Sequence, residues 1–473
     1  MKNIKSLAIV GLALLMLGFN SCSPEFLDRK PTTAVSNDLA LTTTSNIEAA
    51  TVGLMLYFAT SAYTGRNLPV IGDLITDNLT TKAGNSGHLL DIEMWNISSS
   101  LSEISTIWGG SYQIVAAAAK VVEACEKLRP DVSENDRRTL DKCKATALTV
   151  KVFAEYILTQ YYCLPYSAAN SSQPYAVPDP ANMNGIILVP KNKPVSSDNA
   201  INANSTLEIA SLAETYAHMH DELTDAIALF ESSSKSYATA NAAYFPSLCM
   251  ALTLQARLYL EQAYGDVANS ADLFNKAFES AQKALNELPN GANKELVSDG
   301  QEFLEQYRTI SAPTKEDILT VNFTTSDNLS ANSINNMFGS YGCRVSSTVT
   351  ALFYNQRNDI RRDIYLSSAS DQKLEIFSSC GKYPNQNQIN NVPVLRVPEL
   401  YLIQAEAKAN LTNGDVDDPD YQAAMLATLG TRDTSIHGDY EKLKGLYFKE
   451  GSDANMALTY VLEERRREFA GEG

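Results

Sequence analysis

Apolar residues recur at intervals of three and four in eight stretches of the chain, a spacing that puts them on one face of an α-helix. The predicted helices cover residues 45–63, 104–128, 134–162, 206–230, 244–264, 272–288, 397–411 and 453–470. Between them lie long polar segments rich in Asn, Ser, Gly and Pro, with short β-like runs at 186–189 and 318–323. The pattern predicts a mainly α fold with minor β structure and long, irregular, loop-rich insertions.

The stretch 247–288 has the features of a tetratricopeptide-like helix hairpin. Ala256 and Tyr259 are spaced for close helix contact, residues 264–266 (Tyr-Gly-Asp) make the turn, and Pro289 ends the second helix. Such a hairpin cannot bury its apolar face alone, so at least three stacked units are expected. Four pairs, at about 45–128, 134–230, 244–288 and 397–470, would form a solenoid scaffold with insertions at 64–103, 164–205 and 289–396. An ordinary α-bundle without repeat geometry is the alternative.

The first 38 residues have the pattern of an export signal followed by a tether. Lys2 and Lys5 precede an apolar run at 7–19, which is shorter than the roughly 20 residues that span a membrane. Cleavage after Ser21 would leave Cys22 at the new N-terminus, where a lipid can be attached. We therefore predict a signal peptide at 1–21, lipidation of Cys22, a flexible tether at 22–38 and one domain at 39–473. An ordinary signal peptide that happens to end before a cysteine is the alternative.

Composition narrows the class of partner. The net charge of −17 argues against nucleic acid, because phosphate contacts need clustered Lys and Arg. The six cysteines other than Cys22 are scattered without a CxxC pair, so buried thiols are expected. Cys125 and Cys143 flank one predicted turn and form the one pair worth testing for a disulfide.

Several separate motifs resemble one family. They are the segments SCSPEFLDRKPTT at 21–33, GDLITDN at 72–78, Trp108 followed by Tyr112, YYCLP at 161–165, LRVPELYLIQAEAKAN at 395–410 and LEERRREFAGEG at 462–473. Their order and spacing resemble the SusD/RagB family of Bacteroidetes outer-membrane lipoproteins from one end of the chain to the other. Members of the family continue past this last motif with an Arg, an aromatic residue and an Asp-containing stretch. A fragment or a truncated product is therefore one interpretation of the end at Gly473.

The resemblance implies a fold and a role. The fold would be four tetratricopeptide-like helix pairs that support a loop-rich part. The role would be to capture an oligosaccharide or polysaccharide at the cell surface, with the lipid in the outer membrane. The partner would be a SusC-like TonB-dependent outer-membrane transporter, and neither a cofactor nor enzymatic activity is implied. A peptide-binding or purely lid-like transporter subunit is the alternative, and a surface glycosidase is a third hypothesis.

A glycan-binding surface needs flat aromatic rings for sugar faces and polar groups for hydroxyls. Trp95 lies in a predicted loop beside Asn96 and is our candidate sugar platform, with packing or a partner contact as the alternative. Further loop candidates are Tyr63, Arg66 and Tyr341. The other tryptophan, Trp108, lies within a helical pattern and is expected in the core.

Signals for catalysis or metal binding are weak, and we predict neither catalytic residues nor a metal site. His218 and His220 are two apart on a predicted helix and so do not share a face, and HExxH and GxSxG motifs are absent from the sequence. The acidic loop 415–420 lacks the Gly and Glu positions of an EF-hand, although calcium stays an open alternative. The spacing of Glu463 and Arg467 favours a mixed-charge helix face at 463–468. The family resemblance implies that this cluster, Arg396 and Glu399 make buried or interhelix polar contacts, so they are interpreted as structural.

Overall fold

The computed structural model describes residues 40–81, 85–170, 179–189, 208–234, 242–308, 312–356, 358–365, 381–384, 387–448 and 455–473. The predicted signal peptide, Cys22, the tether and Cys380 lie outside these residues. Within them, every helix is too short or too polar to cross a membrane.

Helices account for most of the described structure. In chain order they are α1 Thr44–Phe58, α2 Asn67–Ile75, α3 Leu90–Glu93, α4 Ser102–Leu128, α5 Glu134–Tyr162, α6 Leu212–Ser232, α7 Leu248–Gly265, α8 Ser270–Asn286, α9 Gly300–Arg308, α10 Ile334–Phe338, α11 Ser347–Thr350, α12 Arg362–Tyr365, α13 Val397–Leu411, α14 Pro419–Met425, α15 Tyr440–Tyr447 and α16 Met456–Phe469. A π-helical turn at Leu426–Gly430 continues α14. The prediction of a mainly α fold is confirmed.

The helices pack as the predicted pairs and then as neighbouring pairs. α1 packs on α4, α5 on α6, α7 on α8, and α13 on α16. Contacts of α6 with α7 and of α8 with α13 join one pair to the next. This stacking buries one large apolar core, because each pair covers the open face of its neighbour, and α13 to α16 enclose a second, smaller apolar cluster.

Helix boundaries follow local chemistry. The hydroxyl of Ser133 accepts a hydrogen bond from the Asp136 amide at 3.2 Å and begins α5 at the predicted residue. Ser211 and Glu214 form a reciprocal capping box that begins α6, six residues later than predicted. The cap satisfies backbone N–H groups that would otherwise lack partners. It therefore sets the start of α6 after Ser211, although a weak apolar spacing continues before that residue.

Six short strands form three antiparallel pairs within the described residues. They are β1 Leu79–Thr80, β2 Asn184–Ile187, β3 Ile209–Ser211, β4 Asp317–Val321, β5 Arg344–Val345 and β6 Val392–Arg396, paired as β1–β5, β2–β3 and β4–β6. The β1–β5 pair aligns Leu79 with Val345 and Thr80 with Arg344. It therefore joins the insertion that follows α1 to the one that precedes α13.

The insertions contain more helix than the sequence pattern indicates. Segments predicted as irregular hold α2 and α3 in the first insertion and α9 to α12 in the third. These helices are mostly one or two turns long, too short for a recurring apolar spacing to stand out in sequence.

Polar contacts near the C-terminal end are structural, as predicted. Arg396 and Arg432 each place a guanidinium nitrogen 2.8 Å from Glu468 Oε1, and all three side chains are buried. Glu399 binds Arg257 at 2.5 Å. Breaking such a buried pair strands a charge away from water, at a cost of about 3–5 kcal/mol.

Within the described residues the structure shows no disulfide bond. Cys125 and Cys143 are both buried and unbridged, so the disulfide that their positions suggested does not form in this structure. Burial raises the pKa of the Cys143 thiol to about 11. Cys249 and Cys343 are buried as well, which agrees with the interpretation of these residues as apolar core.

Candidate functional site

The first and third insertions meet beside the β1–β5 pair. The Ser346 amide donates to the Asn78 carbonyl at 2.9 Å, and the Ser346 hydroxyl donates to the Asp77 carbonyl at 2.6 Å. These bonds extend the two-residue ladder and fix the loop that carries Tyr341 against the segment after α2. Residues far apart in sequence are therefore held at one place on the surface.

A close approach at Gly65 brings the turn after α1 against the loop 324–342. A Cβ at Gly65 would lie 2.6 Å from the Ala59 carbonyl oxygen and 2.7 Å from Leu329 Cδ1. Only glycine leaves room for Leu329 here. The contact places Arg66 beside Asn332, whose Oδ1 accepts a hydrogen bond from Arg66 Nη1 at 3.4 Å.

Two of the predicted site residues come together at this junction. Burial lowers the pKa of the partly buried Arg66 guanidinium, and Tyr341 and Glu103 are close enough to raise it by charge interaction. The ring of Tyr341 stacks on His88, with 3.7 Å between ring centroids and 31° between ring planes. We name the group formed by Arg66, His88, Asn332 and Tyr341 the junction surface.

The segment 85–97 runs from His88 of the junction surface to Trp95 and is fixed by one carboxylate. Glu93 Oε1 accepts from the Thr80 hydroxyl at 2.6 Å and from the Thr81 amide at 3.0 Å. Burial alone would raise the pKa of Glu93, but the hydrogen bonds from Thr80 and Thr81 lower it below its ordinary value. The carboxylate thus ties α3 to β1.

Trp95 stands out from this segment. Its side chain is 64% exposed, and its backbone has φ of 58°, which is a costly conformation for a bulky residue. Asn96 beside it is exposed, and its backbone N–H donates to the Asp91 carbonyl at 2.8 Å. A strained, exposed indole on a firmly held segment is suited to contact a ligand or a partner rather than to pack internally.

The five residues predicted for the site divide into three groups. Arg66 and Tyr341 lie together at the junction surface. Trp95 and Asn96 lie on the segment that leaves it, and within the described chain no hydrogen bond or ring contact joins them to Arg66 or Tyr341. Tyr63 lies in neither place.

The assignment of Tyr63 to a binding loop is wrong. The side chain is fully buried, edge-on to Phe58 with 5.7 Å between ring centroids, and close to Phe153. Ser111 donates a hydrogen bond to its hydroxyl oxygen at 3.4 Å. Helix α1 ends at Phe58, and the following turn folds Tyr63 back onto the core.

The expectation that Trp108 lies in the core is also wrong. Its side chain is 39% exposed and lies on the surface of α4. The indole contacts the rings of Tyr112 and Tyr162, each with 4.9 Å between ring centroids. The buried stripe of α4 runs through Ile107, so the adjacent Trp108 falls at its edge.

Sequence reasoning did not single out His88 or Asn332. Each is a single polar residue in a polar segment, and its role depends on a partner more than 200 positions away. The one local signal is the Asn- and Ser-rich composition of 326–340, which predicts a loop and also supplies amides for hydroxyl groups.

A cavity of about 750 Å³ lies between α2, α5, α7, α13 and α16. Ile97, at the end of the Trp95 segment, is one of its lining residues. Charged side chains that line it already have partners within the protein: Arg257 pairs with Glu399 at 2.5 Å. The Tyr264 hydroxyl likewise donates to Glu406 at 2.7 Å. Because these groups already satisfy one another, we place the candidate site at the surface rather than in the cavity.

Comparison with known proteins identifies the family. A SusD-like family model, described as "Starch-binding associating with outer membrane", matches residues 25–260. The chain belongs to the SusD-like family. The search of curated proteins gives no match to this SusD-like chain.

Solved structures support the same fold along nearly the whole SusD-like chain. A SusD homolog from Bacteroides thetaiotaomicron VPI-5482 has a TM-score of 0.70 at 14% identity, covering 93% of this chain and 87% of that one. A putative sugar binding protein from Bacteroides vulgatus ATCC 8482 has a TM-score of 0.68 at 19% identity, covering 92% and 85%. At these identities the likeness establishes the fold.

In the SusD-like chain, the two histidines of α6 face different neighbours. His220 Nε2 lies 2.7 Å from Gln262 Oε1, and its ring stacks on Tyr259. His218 Nε2 lies 3.3 Å from Glu222 Oε1, on the side of α5. Residues two apart on a helix are separated in this way because they point about 200° apart.

His218, Glu155 and Glu222 bring three potential metal-ligand atoms within 4.8 Å of one another. The ammonium of Lys151 lies among them, 2.9 Å from Glu155 Oε1 and 2.6 Å from Glu222 Oε1. We name these four residues the α5–α6 ion cluster. Lys151 already supplies the positive charge that the carboxylates need, so the cluster is explained as a buried ion-pair network.

The acidic loop 415–420 has structural roles in the SusD-like chain. Asp418 accepts from the Asp420 and Tyr421 amides and begins α14. Asp417 pairs with Lys444 at 2.8 Å and Asp420 with Lys408 at 2.6 Å. These contacts account for the three carboxylates without a bound ion.

Proposed function

We propose that this protein is a cell-surface binding lipoprotein that captures an oligosaccharide or polysaccharide and delivers it to a SusC-like TonB-dependent outer-membrane transporter. The observation that carries the proposal is an exposed aromatic platform, Trp95, on a fixed segment that begins at the junction surface. Rings bind the apolar faces of sugars, while Arg66 and the amides of Asn96 and Asn332 can bind hydroxyl groups.

The family supports this proposal. Its model is described as starch-binding and as associating with the outer membrane, and one structural neighbour is described as a sugar binding protein. Such a role requires binding and release rather than bond cleavage, so we propose no enzymatic activity. The lipid on Cys22 would hold the protein at the outer membrane, facing the cell surface.

Calorimetry against a panel of glycans tests the proposal, with Trp95→Ala and Trp108→Ala as matched variants. Both remove an exposed indole, but Trp108 lies on a helix and contacts two tyrosine rings, one tilted and one edge-on. We expect Trp95→Ala to weaken glycan binding at least tenfold, about 1.4 kcal/mol, and Trp108→Ala to leave it nearly unchanged. Unchanged affinity of Trp95→Ala for a confirmed glycan would remove Trp95 from the site.

One observation favours a second function, a lid-like subunit that mainly contacts the transporter. Apolar side chains beside Trp95 are also exposed: Met94 by 63%, Leu90 by 44% and Ile97 by 41%. Several exposed apolar side chains on one short segment favour a contact with another protein. Co-purification of a β-barrel partner by a protein without measurable glycan affinity would favour this function over glycan capture.

A further inference from the structure

Arg66 differs from the buried arginines of this protein in its partners. Its Nε donates to Asn67 Oδ1 at 2.9 Å and its Nη1 to Asn332 Oδ1 at 3.4 Å, and both acceptors are neutral amides. Arg257 and Arg432, by contrast, each bind a carboxylate. Among the residues that the structure describes, no carboxylate forms an ion pair with Arg66.

The positive charge of Arg66 is therefore only weakly compensated. Burial lowers the pKa of the guanidinium, which shows that the surroundings disfavour the charge. The negative charge of Glu103, at the start of α4, raises the pKa of Arg66 in turn, but Glu103 forms no ion pair with it. A guanidinium has five N–H groups and two are engaged here, so three are left for a ligand.

The surroundings of Arg66 fit a charged sugar better than a bare ion. Tyr341 is close enough to the guanidinium for a charge interaction, and its ring lies against that of His88, so the pair offers an aromatic surface. Asn332 is exposed and adds an amide. A planar guanidinium binds a carboxylate or sulfate through two parallel hydrogen bonds, while the ring surface and the amide can bind the rest of the sugar.

We propose that the ligand of the junction surface is an anionic glycan, in which a carboxylate or sulfate group of one sugar residue pairs with Arg66. This inference rests on the proposed glycan-binding function and specifies its substrate class. With a net charge of −17 the protein repels polyanions at long range, so such a ligand needs a local positive partner. Arg66 supplies that partner at short range.

The test compares glycans that share a backbone and differ in charge. Calorimetry would use polygalacturonate against its fully methyl-esterified form, chondroitin sulfate against chemically desulfated chondroitin, and neutral amylopectin. We expect one charged form to bind at least tenfold more tightly than the partner from which that carboxylate or sulfate charge has been removed, with an affinity that falls as salt rises. Desulfated chondroitin still carries its carboxylates. Comparison of the two pairs separates a carboxylate from a sulfate.

Two variants assign that preference to Arg66. Arg66→Gln is expected to lose the tenfold preference, and its thermal unfolding would be measured to confirm that it folds. Arg138→Gln is the matched control, because Arg138 is an exposed arginine that pairs with Glu134 on α5, and it should keep the preference.

The remaining outcomes separate this inference from the proposed function. Binding of amylopectin or of a neutral form alone, weakened by Trp95→Ala, would overturn the anionic ligand and leave glycan capture standing. A charge preference that Arg66→Gln retains would overturn the role of Arg66. Failure of every glycan to bind would count against glycan capture, and this inference would fail with it.

Discussion

Tyr63 lies in a buried aromatic cluster with Phe58 and Phe153, whereas Arg66, three residues later, reaches the junction surface. Tyr63 lies within a turn at 60–65, which is closed by hydrogen bonds from the backbone N–H groups of Tyr63 and Gly65 to the Thr60 carbonyl. Tyr63 therefore packs in the core and Arg66 reaches the surface, because the turn directs the two side chains to opposite sides.

Substitution of Tyr63 tests its placement in the core. We expect Tyr63→Ala to lower the free energy of unfolding by about 3–5 kcal/mol, because it leaves a cavity among buried rings. Tyr63→Phe keeps the ring and loses only the contact with Ser111, so it should cost about 1 kcal/mol or less. Urea denaturation measures both values. A Tyr63→Phe variant with wild-type stability and weakened glycan binding would return Tyr63 to the site.

At the scale of elements, α5 is the central helix of the scaffold, and its burial creates the α5–α6 ion cluster. Lys151 and Glu155 are both fully buried on α5, and Glu222 is fully buried on α6. Burial raises the pKa of Glu222 to about 7, and the negative charge of Glu155 contributes to this increase. The positive charge of Lys151 acts in the opposite direction. Glu222 is therefore expected to change its protonation state near neutral pH, at the contact between these two helices.

The cluster predicts a pH dependence of stability. Because the pKa of Glu222 is higher in the folded protein than its ordinary value of 4.5, the folded state binds this proton more tightly. The resulting stabilisation is complete below about pH 4.5 and is lost as pH rises through about 7. Glu222→Gln is neutral throughout, so relative to wild type it should gain stability between pH 5 and 7.5, by on the order of 1–3 kcal/mol.

Thermal or urea unfolding at several pH values measures this difference. Glu231→Gln is the control, since Glu231 is an exposed residue of the same helix. Its stability should follow the wild-type curve at every pH. Parallel curves for Glu222→Gln and wild type would show that Glu222 does not titrate in this window.

At the scale of the whole molecule, the stacked helix pairs hold the insertions that form the junction surface, and the lipid predicted on Cys22 would hold the molecule at the membrane. Several long acyl chains contribute roughly 0.8 kcal/mol for each buried methylene, enough for near-permanent attachment. The tether at 22–38 would then let the binding domain move over a transporter without diffusing away.

Substitution of Cys22 tests the anchor. We expect Cys22→Ala to move the protein from the outer-membrane fraction to the soluble fraction in cells that lack the transporter. Fractionation followed by immunoblotting measures the distribution, and Cys163→Ala, a partly buried thiol in the body of the protein, is the control. Membrane-bound Cys22→Ala protein in those cells would show that the lipid is not the anchor.

The sequence by itself determined the scaffold. Apolar spacing located the long helices, and the bounds of α5 and α13 agree with the predicted 134–162 and 397–411. These features follow from sequence because helical periodicity and capping act over a few neighbouring residues, and the helices are long enough for the pattern to repeat.

Only the tertiary structure decided which polar and aromatic residues form the site. Arg66 meets Asn332 across 266 positions, and the stacking of His88 on Tyr341 depends on the same junction of two insertions. The burial of Tyr63 and the exposure of Trp108 likewise depend on how α4 and α5 pack beside them. Proximity and burial of this kind arise from contacts between distant segments, so no local pattern of residue types encodes them.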